Sequence, residues 1–146
     1  MDEVIIPDVI EPILGWRSFH YGQDNDDAPW WPCSTTRAVL WYEGELEAKC
    51  DARGEHKAPQ AGCTCGIYVS DKREVPADYS PILAVVELWG TVVKHDKGYR
   101  AQKARIKMLW SEEELTEIDE QTIREMCDRM NVPRLIGKDA LADWNV

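Results

Sequence analysis

The sequence predicts an α+β fold, in which an antiparallel sheet with a Cys/His loop is followed by C-terminal helices packed on the sheet. Residues 38–110 consist mainly of short apolar runs separated by turn residues, which is typical of strands. Residues 111–146 change to apolar side chains at helical spacing. A chain of 146 residues can bury one sizeable core, so we expect a single domain over residues 1–146.

Residues 1–37 show little periodicity, and prolines interrupt them at positions 7, 12, 29 and 32. We therefore expect an irregular segment. Its aromatic side chains, among them Trp16, Trp30 and Trp31, are expected to anchor it on the core because each buries a large area. The Trp30-Trp31 pair between prolines is also compatible with a surface that stacks on a ligand, although packing is the favoured interpretation.

The first strands are predicted on either side of a polar loop. Residues 38–42 and 46–50 are predicted strands joined by a turn, and residues 51–62 are a loop containing Gly and Pro. The chain returns to a strand at residues 65–69.

A long hairpin is predicted over residues 82–110. Residues 82–95 are rich in Val and Leu and predict a buried strand with a bend or bulge at Gly90. The residues Asp96, Lys97 and Gly98 predict a tight turn, after which residues 99–110 pair back antiparallel. The apolar spacing of residues 99–110 is also compatible with a helix.

Two helix starts are predicted in the C-terminal third, one from a capping box of Ser111 and Glu114 and one from Asp119 as an N-cap. The apolar stripe of the second helix comprises Ile123, Met126, Cys127 and Met130, and Asn131 is expected to end that helix. Residues 132–136 are predicted to be extended, and residues 137–144 are predicted to form a last helical turn that buries Leu141 and Trp144.

The cysteines and histidines of the predicted loop carry the strongest chemical signal. Residues 1–10 lack the features of a signal peptide, and no apolar run approaches the roughly 20 residues needed to span a bilayer. A cytoplasmic location is therefore predicted, where five cysteines would stay reduced. Zinc favours tetrahedral thiolate and imidazole ligands. The ligands predicted for zinc are Cys50, His56, Cys63 and Cys65, with Gly62 and Gly66 available for the turn.

Other interpretations of this cluster remain open. Cys33 could replace one ligand, and His20 or His95 could supply an imidazole. Cys50 and Cys65 could instead be small buried residues. An enzyme would use Cys63 or Cys65 as a nucleophile beside His56, or a zinc-bound water with Glu55 as general base. The sequence contains no complete catalytic motif, so a non-enzymatic protein is favoured.

The charge is unevenly distributed. The chain has 27 acidic and 17 basic residues, a net charge of -10, which argues against a protein that coats nucleic acid or anionic membranes. Residues 94–107 nevertheless hold six basic residues against one acidic residue, a local +5 that leaves -15 for the remainder. The residues predicted to bind a partner are Lys94, Arg100, Lys103, Arg105 and Lys107. The alternative is a solvated face neutralised by the acidic residues 112–120.

Several strings together resemble a group of small uncharacterised proteins from actinobacteria and their phages. They are Gly15-Trp16-Arg17, Cys50, His56-Lys57-Ala58-Pro59, Cys63-Thr64-Cys65-Gly66-Ile67-Tyr68, residues 86–95 and Gly98-Tyr99-Arg100-Ala101. The resemblance covers roughly residues 15–136 and implies a phage or prophage origin, hence the cytoplasm of a host, but no mechanism.

The sequence therefore predicts a small, zinc-stabilised interaction or regulatory protein with a protein partner. Nucleic acid would be bound only through residues 94–107, and no membrane partner is expected. One alternative is an acidic inhibitor that mimics nucleic acid through Glu112, Glu113, Glu114 and Glu117. The other is an enzyme that depends on a cysteine or on zinc.

Overall fold

The protein forms a sheet of eight strands with one α-helix and two 3-10 helices, in a computed structural model that describes residues 3–7, 11–35, 39–50, 56–60, 62–72 and 82–143. The strands are β1 (Val4–Ile6), β2 (Ile13–Gly22), β3 (Trp31–Ser34), β4 (Glu45–Glu47), β5 (Ile67–Ser70), β6 (Ile82–His95), β7 (Gly98–Ser111) and β8 (Arg134–Ile136). The α-helix, α1, spans Glu117–Met130, and the 3-10 helices span Tyr42–Gly44 and Lys138–Asp143.

Strands β6 and β7 form a long antiparallel hairpin, as predicted. Its strands pair antiparallel down to the turn, where His95 lies opposite Gly98. A register shift between Trp89 and Val92 marks a bulge, and Gly90 has the positive φ of +76° that a bulge can require. The predicted bulge at Gly90 is therefore confirmed.

Strand β6 is buried on both faces, which explains its continuous run of apolar residues. The face that includes Val86 and Leu88 packs in the larger core, onto which α1 also packs. The other face contributes Leu83 and Val85 to a smaller cluster with Trp16, Met108, Trp110 and Leu141. The 3-10 helix Lys138–Asp143 thus covers the side of the sheet opposite to α1.

The strand pairings close into a ring, because β2 pairs with β6 and β5, and β5 and β6 both pair with β7. Strand β5 meets β2 at one register pair, Trp16 and Ser70, and no further pairing between them is seen in the described residues. Strand β3 extends the ring from β2, and β4 extends it from β7. A groove therefore separates the β2–β3 side from β4, with β5 at its floor.

The expectation of an irregular N-terminal segment is wrong for residues 13–22. Strand β2 pairs with β6 from Ile13 opposite Leu88 to Phe19 opposite Ile82, and this long-range pairing imposes the extended conformation. The packing interpretation of the tryptophans holds for Trp31, which is buried beside Tyr42 at a ring-centroid distance of 6.5 Å. Trp30 is partly buried and packs edge-on against Tyr21.

The predicted strand over residues 38–42 is also wrong in its described part. Leu40 forms an isolated bridge with Cys33, and the 3-10 helix Tyr42–Gly44 follows. Trp41 accounts for this path: its fully buried indole packs on Phe19 and donates from Nε1 to Ser34 Oγ at 3.0 Å. A tertiary contact thus overrides the local strand preference.

The C-terminal third contains one α-helix in the described residues, so the prediction of several helices is corrected. Ser111 ends β7, where it is buried opposite Ile136, and it does not start a helix. Helix α1 begins after its N-cap Thr116, whose side chain accepts from the Asp119 backbone N–H, so the prediction of Asp119 as the N-cap is wrong. The helix ends at Asn131, as predicted, and Asn131 adopts the left-handed conformation.

After α1 the chain forms β8, which pairs parallel to β7 because the helix carries the chain back across the sheet. The sheet is therefore not antiparallel throughout. Leu141 is buried as expected, and Trp144 lies outside the described residues. In the part of the chain that the structure describes, no helix has the length and apolar character to cross a membrane.

Candidate metal centre

The four predicted zinc ligands converge at the end of the groove. Cys50 follows β4, Cys65 precedes β5, and His56 and Cys63 lie in the loop between them. Their ligand atoms all lie within 4.8 Å of one another. The distance from Cys50 Sγ to Cys63 Sγ is 3.7 Å, and that from His56 Nε2 to Cys65 Sγ is 3.3 Å.

The Cys50–Cys63 and His56–Cys65 distances suit a tetrahedral zinc ion. With Zn–S near 2.3 Å and Zn–N near 2.0 Å, tetrahedral angles place two sulfurs about 3.8 Å apart and a sulfur and a nitrogen about 3.5 Å apart. The sulfur pair and the sulfur–nitrogen pair both lie within a few tenths of an ångström of these values. The cluster is therefore a candidate Cys3His metal centre.

Two glycines shape the turn that brings Cys63 and Cys65 to the same point. Gly62 and Gly66 have φ values of +79° and +123°, a region that other residues rarely adopt. A Cβ on Gly66 would lie 3.1 Å from the Pro59 Cβ and 3.2 Å from the Arg100 Cβ. Gly66 therefore permits the close approach of the loop to β7.

Arg100 fastens the loop to the sheet. Its Nη1 donates to the Cys65 carbonyl at 2.7 Å, and its Nη2 donates to the Gln60 carbonyl at 2.9 Å. The same guanidinium pairs with Glu3, next to β1, at 2.6 Å from Nη2 to Oε2. The side chain of Arg100 is 2% exposed. The sequence prediction that Arg100 binds a partner is therefore corrected: the strand register directs this side chain inward, where it holds the metal loop.

The catalytic interpretation of the cluster finds little support in the geometry. Burial, followed by hydrogen bonding to Cys63, raises the pKa of the Cys65 thiol, whereas a nucleophilic cysteine needs a lowered pKa. Four protein donors also leave no open position for a zinc-bound water. Glu55, the predicted general base, lies outside the described residues.

The residues weighed as substitute ligands do not join the cluster. Cys33 is buried and its Sγ contacts the Ser34 carbonyl, while the His95 ring packs 5.8 Å from the Tyr68 ring. His20 lies within β2, opposite Cys33. Cys127 is buried on α1, where desolvation raises its pKa to about 12. The metal-ligand group found among the described residues is the predicted set of four.

The rest of the predicted partner-binding strip runs along β7 and the end of β6. Arg105 pairs with Glu87 at 2.8 Å and with Glu45 at 3.9 Å, and Lys107 pairs with Glu87 at 3.8 Å. These basic side chains are therefore neutralised by neighbouring strands, not by residues 112–120. Lys94 is exposed and Lys103 is partly exposed, and the described residues show no ion pair for either.

Arg17 is a candidate functional residue that the sequence did not single out by itself. It lines a groove of about 800 Å³ that ends at Cys50 and Cys65. No local pattern indicates this role, because the groove forms between elements distant in sequence. Compared with family models, curated proteins and solved structures, the chain shows no match.

Proposed function

We propose that this protein is a small zinc-binding protein whose Cys3His centre is structural and forms part of a surface for a macromolecular partner. The observation that carries the proposal is the convergence of the four ligand atoms within 4.8 Å. The donor set favours zinc because thiolates and imidazole are its preferred protein ligands. From the resemblance of its sequence, we further propose that it is an interaction or regulatory protein of phage or prophage origin.

A structural role follows from where the ligands lie. The described residues between Cys50 and Ile67 form no strand or helix, so backbone pairing contributes little to holding them. A bound metal ties the end of β4 to the start of β5 through the loop. Because the site exists only when these segments are in place, the free energy of metal binding becomes free energy of folding.

A protein partner fits better than nucleic acid. Arg105 and Lys107 already pair with carboxylates, and the chain carries a net charge of -10. Both features weaken attraction to a phosphate backbone. Lys94, which is exposed, and Lys103, which is partly exposed, remain available for contacts with a protein.

The experiment measures metal content and thermal stability together. Protein purified without chelator should contain about one zinc per chain by elemental analysis, and EDTA should lower its melting temperature. The Cys65→Ser and His56→Ala variants should lose both the zinc and the stability. The Cys33→Ser variant is the matched control, since Cys33 is a buried cysteine outside the cluster, and it should keep the zinc.

Two results would contradict the proposal. Fewer than about 0.2 zinc per chain in the wild-type protein would exclude a structural site, which should be nearly full. Variants that lose zinc but keep the melting temperature of the wild-type protein would show that the metal does not stabilise the fold.

A second candidate function, an acidic mimic of nucleic acid, is favoured by one surface. Glu112, Glu113, Glu114 and Glu117 are all exposed and form no ion pair within the described residues. Such a surface can compete with phosphates for a basic enzyme. Replacing the four with Gln should abolish capture of a nucleic-acid-binding enzyme in the host, and capture that is unchanged at low and high salt would reject the idea.

A further inference from the structure

Arg17 places a cation in the wall of the groove, and no carboxylate among the described residues pairs with it. Its Nη1 donates to the Tyr68 carbonyl at 2.6 Å, and its Nη2 donates to Ser34 Oγ at 3.2 Å. Its guanidinium also lies 5.4 Å from the Trp41 ring centroid and 5.6 Å from that of Phe19. The side chain is thus held in one position by neutral groups, and no ion pair to it is seen among the described residues.

Four of the six arginines in the described residues pair with a carboxylate, whereas Arg17 and Arg129 do not. A cation removed from water requires compensation by an anion or by several hydrogen bonds. Arg100, Arg105, Arg124 and Arg134 each pair with a carboxylate. Desolvation lowers the pKa of Arg17 to about 10, so its guanidinium stays charged at neutral pH.

Unused hydrogen-bond donors converge beside this cation. A guanidinium has five N–H donors, and the two contacts of Arg17 leave further N–H groups for another acceptor. Ser34 is 6% exposed, and its Oγ accepts both from Arg17 and from the Trp41 indole. No hydrogen bond donated by the Ser34 hydroxyl is seen among the described residues, and Ser34 lines the same groove.

We propose that the groove binds a small organic oxyanion, a carboxylate or phosphate group on an apolar body, with the anionic group on Arg17 and Ser34. Both residues present donors in positions already set by packing, which suits recognition of an oxyanion. The apolar body would lie along Leu46, Ala48 and Ile67, which line the same groove. The volume of about 800 Å³ accommodates a small molecule.

The other charges in the groove are consistent with such a ligand. Lys49 and Glu47 both line it and both are exposed, so their charges largely offset each other. The groove reaches the metal centre at Cys50 and Cys65, but neither residue is required to hold the anion. The anion site therefore does not depend on the identity of the metal.

The test follows the Trp41 indole N–H by NMR while probes are added to the full-length, metal-loaded protein at constant ionic strength. This proton bonds to Ser34, so it reports on the groove, and the Trp110 indole, which bonds to the Gly137 carbonyl elsewhere, is an internal control. The probes are benzoate and phenyl phosphate, with benzyl alcohol as the uncharged comparison. We expect a saturable shift at Trp41 with one or both anions and none with the alcohol.

Substitutions then assign the site. Arg17→Gln should raise the dissociation constant at least tenfold, and Ser34→Ala should raise it several-fold, because each removes a donor to a charged group. Arg129→Gln is the matched control: Arg129 also lacks a carboxylate partner in the described residues and stacks on Trp31, but it does not line the groove. Its binding should equal that of the wild-type protein.

The result also identifies the source of the anionic group, since saturation by one probe alone distinguishes carboxylate from phosphate. If the Arg17→Gln variant does not fold, the test uses Arg17→Lys and Ser34→Ala instead. Arg17→Lys keeps the positive charge but loses the planar array of donors. The proposal is overturned if neither anion saturates, or if the Arg17 and Ser34 variants bind like the wild-type protein. A metal-free sample that still binds the anion would separate this site from the zinc proposal.

Discussion

Replacing Arg100 with Gln should weaken both the fold and the zinc centre. The guanidinium bridges three groups, the carboxylate of Glu3 and the carbonyls of Gln60 and Cys65. The side chain of Glu3 is 35% exposed, so water can replace part of that interaction, which we set at about 1 kcal/mol or less. The two carbonyl contacts contribute about 1 kcal/mol each. We expect a loss of about 2–3 kcal/mol in the free energy of unfolding.

The assay is urea unfolding of zinc-loaded protein together with a competition measurement of zinc affinity. For a chain of this length, 146 residues, the loss corresponds to a melting temperature lower by about 4–12 °C. Zinc affinity should fall about 10–100-fold, because residues that orient metal ligands typically have effects of this size. Arg100 acts on the ligand Cys65 through its carbonyl and so positions it without touching the metal.

Arg105→Gln is the matched control on the same strand. The side chain of Arg105 is 46% exposed and pairs with Glu87 at the surface, so its loss should cost less than about 1 kcal/mol and leave zinc affinity unchanged. Equal effects of the two variants would refute the reasoning, since burial and contact with the loop would then not matter. A destabilised Arg100→Gln protein with wild-type zinc affinity would show that the loop is held by other contacts.

Two further predictions concern the metal loop and the helix. Gly66→Ala should destabilise the protein by more than about 1 kcal/mol and lower zinc affinity, because the left-handed φ and the Cβ contacts with Pro59 and Arg100 both oppose it. Gly62→Ala, with no atom within 4 Å of the new Cβ, should be milder in the same unfolding assay, and the reverse order would contradict this account. Hydrogen bonds from Arg134 and Arg124 lower the pKa of Glu120 from 4.5 to about 2. Its ionised form therefore stabilises the fold above pH 4.5, and that contribution is lost as the pH falls toward 2. Denaturant unfolding of the Glu120→Gln variant and the wild-type protein should be compared from pH 7 to pH 3. The variant should be less stable by about 1 kcal/mol at neutral pH, and this difference should narrow below pH 4.5. A difference that stays constant with pH would contradict the prediction.

Features with a local cause could be predicted from the sequence. The β6–β7 hairpin follows from the long apolar run of residues 82–93 and the turn residues that come soon after it, and its bulge follows from Gly90 within that run. The end of α1 at Asn131 follows from a residue that tolerates the left-handed conformation. The zinc ligands were also recognisable, because few side chains other than Cys and His offer the donors that zinc prefers.

Features with a long-range cause could not be predicted from the sequence. Residues 13–22 become a strand because they pair with β6, about 70 residues later in the chain, and their own pattern carries no comparable signal. Ser111 resembles the start of a helix, but it is buried in β7 by pairing with β8. In both cases the pairing partner, not the local propensity, decides the conformation.

The sequence by itself determined that this chain builds a sheet followed by a helix and that it carries a Cys3His donor set. Only the tertiary structure decided that these donors meet, that Arg100 turns inward to hold their loop, and that Arg17 faces a groove beside them. The physical reason is register: the inward or outward direction of a strand residue reverses with a shift of one position. That register is set by contacts between segments that are far apart in the chain.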